Sequence, residues 1–222
     1  MFAVIFEVQP RPDRWEDYLA LAGSLRPELE QVDGFLENER FRSRQRAGRV
    51  LSLSIWRDEK AVIRWRTLAR HHYAQARGRS EIFEDYHLRV GEIVADSRLP
   101  AGRSLSRQRF DDTEIVTAKL VTISELAGQG SESADLATAL GLPSAGMQGV
   151  VEHETFAGID DPHRTLLLAS WSDAAAGELW RPVAHHADIR HRAVRIIRDY
   201  GMNDRREAPQ YYPPVSAAQD GG

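Results

Sequence analysis

The residues best suited to chemistry in this sequence are two histidine pairs, His71-His72 and His185-His186, each set a few residues behind a Trp-Arg dipeptide, Trp65-Arg66 and Trp180-Arg181. A neutral imidazole moves protons near neutral pH or ligates iron, and an indole beside it makes a wall for a planar ligand. The setting is repeated. An apolar run ends on Trp56 or Trp171, a polar turn carries Asp58 or Asp173, and the second Trp follows nine residues after the first. Four of the five tryptophans lie in these two copies, which points to an internal duplication rather than to chance. A plainer reading stands beside each residue: a Trp on an apolar helix face is commonly core, and a His at its edge is commonly solvated.

The elements that must position these residues follow from hydropathy periods. Phe2–Val8 alternates, with Phe2, Val4, Phe6 and Val8 on one face and Ala3, Ile5 and Glu7 on the other, so it reads as a strand. Asp13 and Glu16 form a capping-box-like pair ahead of an amphipathic helix through Trp15, Leu19, Leu25 and Leu29. Leu36–Ser43 reads as a charged, edge-like strand and Val50–Trp56 as a strong one. Asp58 caps a helix from about Glu59 to Gly78, and Tyr86–Val94 closes the unit. On that helix Trp65, Ala69, His72 and Ala76 share a face, with His72 about 10 Å beyond Trp65 and His71 turned aside.

The pattern restarts after Ala95–Asp112, a stretch with Pro, Gly, Ser and charge but no period. Glu114–Ile123, Met147–Thr155, Arg164–Trp171 and Val194–Tyr200 read as strands; Ser131–Gly141 and Ala174–His186 read as helices, the second limited by Pro182. The fold class is α+β: two tandem β-α-β-β-α-β, ferredoxin-like units over 1–95 and 113–210, a linker at 96–112 and a tail at 211–222. Glu7 and Lys119, on the first strand of each unit, read as inward charges in a pocket or, more commonly for such positions, as edge-exposed charges.

Composition removes several classes of function. There is no cysteine, so thiolate chemistry and disulfides are excluded. Net charge is −4, which gives no nucleic-acid or membrane surface by charge. No apolar run is long enough to span a bilayer and the N-terminus is no signal peptide, so a cytoplasmic protein is expected. No Gly-rich phosphate loop, flavin or nicotinamide fingerprint, or metal-binding HExxH helix occurs, and no cofactor is expected. Arg64, Arg66, Arg70, Arg77 and Arg79 make the first His-bearing helix basic. They are either a solvated face paired with nearby glutamates or an anion-binding face.

Trp56, Trp65, His71, His72, Ala74, Gln75, Gly78, Arg79, Phe83, Asp85, Tyr86, Arg89 and Val90 together resemble the antibiotic biosynthesis monooxygenase (ABM) domains. The run Arg198-Asp199-Tyr200-Gly201-Met202 with Asp204-Arg205 and Ala208-Pro209 is similar to the end of such domains. The resemblance implies a dimeric α+β barrel with a pocket between sheet and helix in each unit, here an intramolecular pseudo-dimer, with a homodimer of chains as a further arrangement. It implies a monooxygenase that oxidises an aromatic or polycyclic phenol with O₂ and no cofactor. In that reading His72, His71 and His186 are the candidate bases, and Trp65, Trp180, Phe6 and Tyr86 bind substrate. Two other readings stay open. One is a haem-binding or haem-processing protein of the same superfamily, against which Gln75 occupies the place of the axial His. The other is a non-catalytic binding or assembly protein.

Overall fold

The structure, a computed structural model, describes residues 1–127, 136–183 and 188–210. The first repeat supplies β1 (Phe2–Pro10), β2 (Phe35–Ser43), β3 (Val50–Trp56) and β4 (Phe83–Asp96), and the second β5 (Leu120–Ala127), β6 (Val150–Gly158), β7 (Arg164–Trp171) and β8 (Ile189–Gly201). They close one barrel in the order β1-β3-β2-β6-β7-β5-β8-β4. The expected pair of ferredoxin-like units is borne out, and the two units share this single barrel. Two seams join them. The β4–β8 seam is long, from His87 to Asp96, whereas the β2–β6 seam spans only Phe41–Ser43.

Strand alternation sorts the side chains. Ala3 and Ile5 join Leu51, Leu53, Val121 and Leu166 in one cluster, while Phe2 and Val4 pack with Trp56 and helical residues in another. The first cluster is the barrel interior; the second lies beneath α1 (Trp15–Leu29), α2 (Glu59–Thr67) and α3 (Ala69–Arg77). The second repeat carries only short helices among its described residues, α4 (Leu136–Ala139) and α5 (Ala174–Leu179).

Charged side chains flank the apolar interior. Toward one end Glu7 is buried and takes Arg89 and Arg49 (2.7 Å), while Arg89 donates to Ser170 of the other repeat at 2.8 Å. Toward the other, Arg192 meets Glu37, Asp96 and Glu125, and Arg164 meets Glu39 and Glu125. Glu7 is therefore not an exposed edge charge. Nor is β2 an edge strand: its acidic residues face arginines of the second repeat across the barrel. The linker is equally engaged. Leu99 and Leu105 pack against the interior cluster, and Arg109 pairs with Glu59 at 2.8 Å.

Several boundaries differ from the sequence reading for identifiable reasons. Asp13 lies in a 3₁₀ turn and makes no cap; α1 begins without a side-chain cap bond. β5 begins at Leu120, because Ile196 accepts from Thr113 N–H and donates to Lys119 C=O, looping out the residues between. The Lys119 ammonium, half-buried, donates to the Thr113 carbonyl across that loop. β6 begins at Val150, since Gln148 and Gly149 have φ of 51° and 85°, outside the strand region. α5 ends at Leu179; the expected continuation past residue 183 lies outside the described residues, as do 131–135 of the expected Ser131–Gly141 helix. The long helix expected over Glu59–Gly78 is broken at Leu68, whose φ of −59° and ψ of 129° are extended.

Burial alone would push the Glu7 carboxyl up, but Arg89 and then Arg49 outweigh it and hold its pKa down to about 2. Its contribution to stability is thus complete above the ordinary value of 4.5 and is lost as pH falls from there toward 2. Replacing Glu7 by Gln strands Arg89 in the interior and is expected to cost about 3 kcal/mol. Urea denaturation at neutral pH measures that loss, and repeating it down to about pH 3 should show a shallower acid dependence in the variant.

Candidate active site

The break at Leu68 builds the site. Asp58 caps α2, accepting from Ala61 N–H at 2.8 Å. At the far end the extended Leu68 interrupts the helical ladder. The Trp65 carbonyl there accepts a bond from Leu68 N–H at 3.3 Å and one from His71 Nδ1 at 2.8 Å. His71 consequently folds back over Trp65, with ring centroids 4.0 Å apart and planes 18° from parallel. The expected shared face of Trp65 and His72 is replaced by a Trp65–His71 stack.

A carbonyl can only accept, so Nδ1 of His71 carries the proton and Nε2 keeps its lone pair in the neutral ring. Burial lowers the His71 pKa to about 4; the Trp65 carbonyl opposes that shift and His72 adds to it. The imidazole is neutral at physiological pH.

An inner chamber of about 240 Å³ lies between the outer face of the barrel and the helices. Trp65, His71 and Gln75 line its helical side, Val4, Phe6 and Leu88 its sheet side, and Tyr200 and Arg198 arrive from β8 of the other repeat. Its polar groups include Tyr18, Asn38 and Arg40. Asn38 is fixed by Ser52 Oγ (3.1 Å) and the Leu53 carbonyl (3.0 Å). Arg40 reaches Asp160 at 3.8 Å and has a buried Nη1 without an acceptor among the described residues. Burial raises Tyr18 and Tyr200 to about 12, so both phenols stay protonated.

The inner chamber shares Phe6, Gln75, Phe83 and Tyr200 with a wider mouth of about 480 Å³. The mouth is lined by His72, Arg66, Arg79 and Tyr86, and by Arg205 and Pro209 from the segment after β8. That segment is held in place: Met202 N–H donates to the Tyr86 carbonyl at 3.1 Å, Arg205 donates to Tyr86 Oη, and Glu207 accepts from Asp199 N–H at 2.7 Å.

The structure therefore brings His71, Trp65 and Phe6 together in the chamber, with His72 and Tyr86 at its mouth. Trp180 lies apart, in the second repeat. It packs on Trp171 (5.8 Å between centroids) and edge-on to His191 (5.2 Å), and its indole N–H donates to the Gly141 carbonyl at 3.2 Å. Leu136, Leu140, Leu142 and Leu167 fill the surrounding space. His186 lies outside the described residues. Sequence reasoning had missed Tyr18, Asn38, Arg40 and Arg198 as site residues. Strand parity could have placed Asn38 and Arg40 on the face away from Phe41's neighbours, but the β2 charges drew attention to the edge instead.

Comparison with known proteins agrees with this architecture. The sequence profile of the antibiotic biosynthesis monooxygenase family matches residues 1–77. A Pyricularia oryzae protein described as "Jasmonate monooxygenase ABM" is 42% identical over 221 residues, covering 97% of this chain and 100% of that protein. Among solved structures, one described as an antibiotic biosynthesis monooxygenase is 17% identical with a TM-score of 0.39, over 43% of this chain and 100% of its own. A Shewanella oneidensis protein is 18% identical with a TM-score of 0.38, over 40% and 86%. The two structural likenesses add no weight at that level. Identity sustained along essentially the whole of both sequences does, and by it the chain belongs to the antibiotic biosynthesis monooxygenase family.

Proposed function

We propose that this protein is a monooxygenase whose working site is the first-repeat chamber, and that the second repeat serves that site as its wall. The observation that carries the proposal is the Trp65–His71 stack facing a chamber walled by both repeats. A cavity of about 150 Å³ holds a benzene ring, so about 240 Å³ suits a body of one or two rings better than a large polycycle. The jasmonate in the relative's name, a substituted cyclopentanone acid, falls within that size.

The chemistry we assign is proton removal from a substrate that ionises to a delocalised anion, with a phenol as the leading case. His71 Nε2 accepts the proton while Nδ1 stays bonded to the Trp65 carbonyl, and Arg40 and Arg198 stabilise the anion in a chamber of low polarity. The electron-rich anion then reduces O₂ itself. For an activated methylene the balance is R–CH₂–R′ + O₂ → R–CO–R′ + H₂O, so the substrate supplies all the electrons. With its pKa held down to about 4 by burial, His71 is a weak base in the empty chamber, so the transfer depends on Arg40 and Arg198 stabilising the anion as it forms and on that anion pairing with the new imidazolium. Trp65 is the aromatic wall, and His72 stands where substrate enters.

Oxygen uptake with one- and two-ring phenols tests the assignment. In His71→Ala the rate is expected to fall about 100-fold or more, and in His72→Ala by much less. Undiminished uptake in His71→Ala would remove His71 from its role. Nitrogen-15 NMR of the histidines provides a second check. His71 should show an Nδ1–H tautomer and remain neutral until the pH approaches about 4, and a midpoint near the ordinary 6.5 would contradict the buried, carbonyl-bonded ring.

A further inference from the structure

The basic helix face separates into two groups in the structure. Arg64 pairs with Asp33 (3.3 Å), Arg70 with Glu28 (2.5 Å) and Arg77 with Glu81 (3.2 Å), an ordinary solvated pattern. Arg66 and Arg79 instead turn to the mouth of the chamber, where Arg205 joins them from the other repeat. Arg66 donates to the Gln210 carbonyl at 3.2 Å, and Arg205 lies over the Tyr200 ring at 5.8 Å. No acidic side chain is among the described residues that line this mouth. Three guanidiniums thus converge on one opening without a lining carboxylate, above a chamber that is mostly apolar and that Arg66 also borders.

We propose that the mouth is an anion-recognition subsite and that the substrates are organic acids. A short apolar body fills the inner chamber, and its carboxylate is held by Arg66, Arg79 and Arg205. Guanidinium forks match carboxylates bidentately, and at the mouth the carboxylate keeps part of its hydration. Seating the acid deeper, against Trp65 and Val4, would cost more desolvation and bring it toward Glu59 and Asp160, which line the inner chamber but not the mouth. This inference rests on reading the inner chamber as the substrate's seat, but binding can be measured whether or not turnover occurs.

The test uses two acid–ester pairs of equal shape: jasmonate with methyl jasmonate, and 6-hydroxy-2-naphthoate with its methyl ester. Calorimetric titration of the full chain should show each acid binding about ten-fold tighter than its ester, with added salt weakening only the acid. In the Arg66→Gln/Arg79→Gln double variant, checked for folding by circular dichroism, the gap should close while ester affinity stays the same. Arg205 is left intact because it also holds Tyr86. Equal affinity of acid and ester, binding of neither pair, or a gap that survives the double variant overturns the proposal. So does a gap abolished by Arg40→Gln alone, which would place the acid inside the chamber. Tight acid binding without oxygen uptake by any probe would instead leave the subsite standing and refute the proposed reaction.

Discussion

Closing two repeats into one barrel brings charged side chains of both repeats together at the two ends of an apolar interior, where several are buried and meet an opposite charge. β2 carries Glu37 and Glu39, and β8 and β7 carry Arg192 and Arg164, in positions that would be costly if either repeat stood alone. Together they tie β2 to β8 and β7 of the other repeat, in addition to the few main-chain bonds of the short β2–β6 seam. Glu7, Arg89 and Ser170 do the same toward the other end, linking β1, β4 and β7. Such pairs add little net stability over apolar packing, but they penalise wrong registers and wrong partners strongly. They thereby fix how the two halves meet, and every shared wall of the chamber depends on that meeting.

The halves have since diverged. In the first, α1, α2 and α3 stand far enough from the sheet to leave a chamber. In the second, leucines below short helices fill the corresponding space, with Trp180 over Trp171 and His191. The buried His191 donates or accepts one bond with Ser124 Oγ at 2.9 Å and lies edge-on to the Trp180 ring. The second repeat gives the first Arg198 and Tyr200 from β8 and Arg205 and Pro209 beyond it. The two copies of one pattern thus differ in what they contribute: helices of the first line the chamber, and β8 and the segment after it complete its wall.

Much of this was legible in the sequence. The duplication, the strand periods and the Asp58 cap are local signals, and each corresponds to an observed strand or cap bond; the matching cap at Asp173, read in the sequence only as part of a polar turn, shows in the structure. What failed to show was set by distant partners. The charges of β2 look like an edge until the arginines of the other repeat are placed opposite them. Leu68 is neither Pro nor Gly, so nothing in its type announces a break; yet that break turns His71 onto Trp65 in place of His72. The contribution of residues 198–209 was visible only as a family-like run, because no periodicity ties a terminal segment to a cavity on another unit.

The segment after β8 has a consequence for how the protein is made. The helices and the Trp65–His71 pair precede the Tyr200–Pro209 wall that completes their chamber in chain order, and so are synthesised before it. During translation the first repeat therefore exposes an apolar groove and unpaired β2 and β4 flanks to the cell. The chamber therefore cannot be complete before the second repeat has been made.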